Sequence, residues 1–338
     1  MRRAPLAALL LVALVTGPFP GWAKADDAGF LPGHSHQGAV FNRGPRQSAR
    51  LIGGTGKISF PVTSKNPLVQ KFIEQGIGQL HGFSYFEAER SFRQAAALDP
   101  ACGIAYWGMS LANDRNRTRA RQFAEQAAAH KAGLSAREQL YVDALTSDAG
   151  YEPLIANYPN DLEAKAFEVW RIWHKLEIGA SSLPDVKEAE RLCAEILGVD
   201  PLHPIHHAVI HLLDMGNNYA QGLDVAARCG ESAPAIGHMW HMATHIYYPL
   251  RRYAEAAWQL EAALRTENAR INRDRILPDQ VELYAHNNEW LVRALMQLGR
   301  LHEARAIATQ MIDLPRHPLL NVLEPPAVDP ASDEKKEK

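Results

Sequence analysis

The chain has 338 residues, of which 46% are hydrophobic and 22% charged, with a formal net charge of -2 and a pI of about 6.7. That composition supports a sizeable core in one extended array or two compact domains. The absence of a polybasic run argues against nucleic acid and anionic membranes as partners.

From the N-terminus, Met1-Arg2-Arg3 is basic, Ala7 to Thr16 is apolar, and Ala23-Lys24-Ala25 has the small-x-small pattern of a cleavage site. The apolar run is too short to span a bilayer. Residues 1–25 therefore read as a secretory signal peptide, with a retained anchor as the alternative. Export predicts a periplasmic or secreted protein in an oxidising compartment.

Residues 26–67, rich in Gly, Pro, Ser and Arg, read as an irregular arm, with Ile58 to Val62 as a short extended stretch. Gly53-Gly54-Thr55-Gly56-Lys57 lacks the spacing of a phosphate loop and is expected to be a turn. From Leu68 onward the apolar spacing is helical, and residues 318–338 form a Pro-containing charged tail expected to be disordered. No segment after the signal is apolar enough to span a membrane. The three cysteines, Cys102, Cys193 and Cys229, do not describe a disulfide framework. They read as small buried side chains, with a Cys193–Cys229 bond as the alternative.

The helical region repeats. Ala88, Phe92 and Ala95 lie at i, i+4 and i+7 before Pro100, and the spacing recurs as Ala189, Cys193, Ile196, Pro201 and as Gly222, Ala226, Cys229, Pro234. Ala256, Leu260, Ala263 repeats it without the proline. Small residues on one helix face admit a close neighbour, and the proline stops the helix. This pattern resembles the tetratricopeptide repeat, a helix pair of about 34 residues. The resemblance covers roughly 68–317. It implies an all-α, right-handed α-solenoid of helix hairpins, degenerate between Arg115 and Tyr158 and lengthened by an insertion between Arg265 and Gln280. His238-Met239-Trp240-His241-Met242-Ala243-Thr244-His245-Ile246, His206-His207-Ala208-Val209-Ile210-His211, Gly33-His34-Ser35-His36-Gln37-Gly38 and the segment Gly82 to Phe92 are also similar to a subfamily of exported bacterial tetratricopeptide proteins. No settled activity comes with that likeness.

Fifteen histidines are many for this length, and nine lie from His174 to His286. His174, His207 and His241 are spaced by 33 and 34 residues, and His211 and His245 by 34. His238 and His286 share a further repeat position if the insertion forms a loop, and His81 falls near the end of the first helix. The resemblance implies that first helices line a concave groove, so these imidazoles are expected on its inner wall with Trp240 at its edge.

His203, His207 and His211 at i, i+4, i+8, and His238, His241 and His245 at i, i+3, i+7, each read as one helix face. An i, i+4 histidine pair can hold one transition metal, and a third ligand from a neighbouring helix completes an open site. The candidate ligands are His207, His211, His241 and His245, with Asp214 as ligand or as the partner of a free imidazole N–H. Imidazole suits divalent zinc, copper or iron alike. Met239 and Met242 read as core filler, as do most of the tryptophans. His34 and His36 either add ligands from the arm or are solvated.

Two functions follow. One is a groove, with His174, His238, His286 and Trp240, that binds a peptide, a protein or a small molecule. The other is a metal-binding protein or metalloenzyme built on the same histidines. No motif names a substrate or a reaction.

Overall fold

The computed structural model describes residues 48–315 except 181 and 282. The signal segment, the arm before residue 48 with His34 and His36, and the tail lie outside the described residues. Within them the fold is all-α, with no strand assigned.

The helices are α1 (Pro67–His81), α2 (Tyr85–Leu98), α3 (Gly103–Leu111), α4 (Arg117–Ala129), α5 (Ala136–Ala144), α6 (Glu152–Asn157), α7 (Leu162–Glu177), α8 (Leu183–Val199), α9 (His206–Met215), α10 (Leu223–Ser232), α11 (Gly237–His241), α12 (Thr244–Tyr247), α13 (Tyr253–Asp274), α14 (Tyr284–Gln297) and α15 (Leu301–Asp313). Local chemistry sets many of their starts. Asn66 caps α1 just before Pro67, whose missing N–H costs nothing there. Ser135 with Glu138 and Ser182 with Asp185 form capping boxes at α5 and α8.

Consecutive helices pack in pairs: α1 on α2, α3 on α4, α7 on α8, α9 on α10, α11 on α13 and α14 on α15. The small residues of the repeat sit at these contacts. Ala88, Ala189, Ala226 and Ala256 are all fully buried. The three cysteines are buried and unbonded to one another, as the reading of small core side chains expected.

Several sequence expectations change in detail. The stretch from Arg115 to Tyr158 is helical in α4, α5 and α6 despite its weak repeat pattern. The insertion after Arg265 is part helix and part loop. It extends α13 to 22 residues, ending where Arg275 turns to a left-handed φ of 53°. The segment from Ile58 to Val62 pairs with no strand; side chains of α1 take up its polar backbone instead, Glu74 and Gln70 accepting from the N–H of Phe60 and Val62. Gly54 and Gly56 have φ of +82° and +106°, so this glycine-rich stretch is a turn, as expected.

The leading hairpin and the end of the arm reach well beyond their neighbours in sequence. Gly54 accepts a hydrogen bond from the N–H of Ala235 at 2.8 Å. Glu87 and Arg90 of α2 pair with Arg270 (2.8 Å) and Asp274 (3.4 Å) of α13. His81, at the end of α1, bonds Glu163 of α7. These long-range links lay the α1–α2 turn against the first turn of α9 and against α11, where the histidines are.

Candidate metal centre

Helix α9 places His207 and His211 one turn apart, so their side chains share a face. Their Nε2 atoms lie 3.0 Å apart. On the next hairpin, His241 ends α11 and His245 lies in α12, with their Nε2 atoms 3.2 Å apart across the intervening turn. His286 of α14 brings its Nε2 to 3.1 Å from that of His241. His238 stands between the two pairs, with ring centroids 4.8 Å from His207 and 5.2 Å from His241. One nitrogen each from His207, His211 and His238 fall within 4.8 Å of one another. Six imidazoles from α9, α11, α12 and α14 thus form one contiguous array.

Tautomers follow from the neighbours. His207 Nδ1–H donates to the carbonyl of His81, which leaves Nε2 as a bare lone pair. His245 Nδ1–H donates to Asp214 at 2.9 Å, with the same consequence. An N–H held by a carbonyl or carboxylate fixes a ligand ring and raises its basicity. A metal–nitrogen bond of about 2.0–2.1 Å sets neighbouring nitrogens about 3 Å apart, so the observed Nε2 spacings match ligand edges.

The array is dry on one side. His207, His238 and His241 are buried, while His211, His245 and His286 are half-buried. Burial holds His207 down to about 3, and holds His211, His238 and His241 well below the usual imidazole range, with neighbouring histidines pushing the same way. His207, His211, His238 and His241 are therefore neutral at ordinary pH and their lone pairs face no proton competition. Nδ1 of His238 and of His241 is buried and has no hydrogen-bond partner among the described residues. Such orphaned groups are rare and costly, and an ion at the site is one established reason for them.

Aromatic rings wall the array. Phe83 lies 4.3 Å from His207 and 5.7 Å from His238 by ring centroids. Trp173 lies 4.7 Å from His211, and Trp290 lies 5.1 Å from His245. Phe83 holds a left-handed φ of 53°, a strained conformation for a bulky residue, and it points the ring into the histidines. A pocket lined by Gly82, Phe83, Gly237, His238, Glu267 and Arg270 opens beside His238.

A second group, His81, Glu163 and His203, has metal-like spacing but different chemistry. His81 Nδ1 accepts from Trp170 Nε1–H at 3.0 Å, and His203 Nδ1 accepts from the N–H of Ile205 at 3.0 Å. Each neutral ring must therefore carry its proton on Nε2, and both donate to the Glu163 carboxylate, at 2.8 and 3.2 Å. A metal on those Nε2 atoms would require imidazolates. This trio is a buried hydrogen-bonded brace. The two rings hold Glu163 down to about 2 against the opposing effect of burial, and burial lowers His81.

Several expected placements are corrected. His174 lies in the last turn of α7, half exposed beside Asp114 and Glu177, because α7 starts much earlier relative to it than α9 does to His207. The spacing of 33 does not make the two equivalent. His203 precedes α9 in a turn, so it shares no helix face with His207. Trp240 points away from the array: its indole donates to the carbonyl of Pro234 and its ring meets Trp258. Asp214 serves His245 of the neighbouring hairpin, not His211 of its own helix. His286 pairs with His241, and the lengthened α13 breaks its expected equivalence with His238. Sequence reasoning missed Phe83 as part of the site. The only signal was its position between Gly82 and the start of α2.

No protein-family model matches the chain, and no curated protein matches it either.

Proposed function

We propose that this protein binds a divalent transition metal through His207, His211 and His238, in an open three-imidazole centre. The observation that carries this is the convergence of these three nitrogens on a dry spot where burial keeps every ring neutral. The second-sphere bond from His207 Nδ1 to the carbonyl of His81 is the kind that orients a metal ligand. Three protein ligands leave a coordination position for water or a small substrate, and the pocket beside His238 offers the approach. Zinc, copper and iron all suit imidazole, with copper favoured by intrinsic affinity.

A peptide-binding groove fits less well. The inner surface where the histidines meet is covered by Phe83 and the chain's own α1–α2 turn. The hairpin series supports a tetratricopeptide-like right-handed solenoid, and the N-terminal signal pattern supports delivery to the periplasm or beyond.

The test is metal analysis of untagged protein after dialysis. Bound zinc, copper or iron that disappears in His207→Gln and His211→Gln, with helix content retained, is the expected result. Wild-type protein that is folded and takes up none of the three when each is supplied would overturn the reading.

A further inference from the structure

The pocket beside His238 is lined by groups of both charges. Helix α13 contributes Arg270 and Arg273, and Glu267 one turn before Arg270. Ile52, Phe83, Ile236 and Leu283 supply its apolar surface. The arginine side carries surplus positive charge. Both oxygens of Glu87 accept from Arg90 Nη1, at 3.0 and 3.1 Å, and its Oε1 also accepts from Arg270 Nη2 at 2.8 Å. Asp274 is held by Arg273 through two bonds of 2.9 Å, and Arg90 Nη1 lies 3.4 Å from it. Three guanidiniums thus share two carboxylates whose lone pairs are already engaged. A guanidinium keeps its charge at any ordinary pH. Arg270 Nε, which can only donate, is buried with no hydrogen-bond partner among the described residues.

Glu267 supplies the opposite charge. It is buried, and Asn287 Nδ2 donates to its Oε1 at 3.0 Å. It presses on the backbone next to His238: a Cβ at Gly237 would stand 2.6 Å from its Cγ and 2.7 Å from its Oε1. Only glycine fits there, so the acid is fixed beside a metal ligand. We propose that this pocket binds a free α-amino acid with an apolar side chain, its carboxylate on Arg270 and Arg273 and its ammonium on Glu267. Residues three apart on a helix have Cβ atoms about 5–6 Å apart, within reach of the two adjacent charges of one amino acid. The guanidinium fork suits a carboxylate. A ligand of single charge would leave one side of the pocket unpaired, and a desolvated charge is costly unless paired. The pocket ends at His238, so an amino acid held there is the molecule that the open metal position meets. That consequence rests on the metal reading; the binding itself does not.

Untagged full chain is stripped of metal with a chelator, dialysed, and titrated by calorimetry with L-phenylalanine and with L-leucine. One equivalent of either is expected to bind. Phenylacetate lacks the ammonium and phenethylamine lacks the carboxylate, and each is expected to bind about 10–100-fold more weakly than L-phenylalanine. Glu267→Gln is expected to bring L-phenylalanine down to the affinity of phenylacetate. Arg273→Gln, at the more exposed of the two arginines, is expected to weaken L-phenylalanine by about 10-fold. Far-UV circular dichroism checks that each variant keeps its helices. Folded wild-type protein that binds neither amino acid at about 10 mM overturns the site. Phenylacetate or phenethylamine binding as tightly as L-phenylalanine overturns recognition of both charges, and so does unchanged L-phenylalanine affinity in folded Glu267→Gln protein. The protein is metal-free throughout, so these outcomes do not depend on whether it takes up an ion.

Discussion

Lowering the pH of the metal-free protein from about 7.5 to about 5.5 should destabilise it steeply. His207, His211, His238 and His241 all have folded-state values well below that of a free imidazole, first because of burial and then because of each other. In the unfolded chain they titrate near pH 6.5. As pH falls through that value, the unfolded state gains protons that the folded state refuses, and linkage lowers the stability. The loss begins near pH 6.5 and continues until the folded rings protonate, at about 3 for His207. At pH 5.5 each group that stays neutral when folded costs about 1.4 kcal/mol, so the four together cost about 5–6 kcal/mol. That rivals the whole stability of a typical domain, about 5–15 kcal/mol. Free Asp and Glu titrate near 4, below this window, while Asp114, raised by burial, takes up its proton earlier in the folded state and offsets part of the loss. Urea unfolding midpoints across this pH range, with a chelator present, measure the slope. His238→Phe, which keeps the ring volume without the proton uptake, should flatten it by one group's share, about 1.4 kcal/mol over this range. Midpoints that do not move between pH 7.5 and 5.5 would refute the burial on which the centre depends.

Three further outcomes follow. Saturation with the bound metal at about 100 times its dissociation constant should raise stability by about 2.7 kcal/mol, and a chelator should reverse it; an unchanged melting temperature contradicts this. Phe83→Ala removes a buried ring and should cost about 3–5 kcal/mol while speeding metal exchange; unaltered exchange would mean that Phe83 does not cover the site. Gly108→Ala would place a Cβ at 2.4 Å from the Phe92 ring. It should destabilise by about 1–3 kcal/mol despite alanine's better helix propensity, and a more stable variant in thermal melting would show that the α2–α3 contact is looser than described.

The helical hairpins were legible because their signals are local. Alanines at i, i+4 and i+7 and prolines after helix ends each act within a few positions of chain, so their spacing can be read directly. The i, i+4 pairs His207 with His211 and His241 with His245 were legible for the same reason. What period alone could not decide was equivalence between repeats. His174 keeps the spacing of 33 yet sits at the opposite end of its helix from His207, because loop and helix lengths changed around it.

The amino-acid sequence by itself determined that the chain builds paired helices and that several imidazoles lie on a few helix faces, since both depend on residues a turn apart. Only the tertiary structure decided which rings meet. The turn at Phe83, the reach of Asp214 to His245 and the approach of His286 to His241 depend on how separate hairpins stack, as does the diversion of His81 and His203 to Glu163. Stacking is settled by burial and hydrogen bonding between residues far apart in the chain, and no local pattern encodes it.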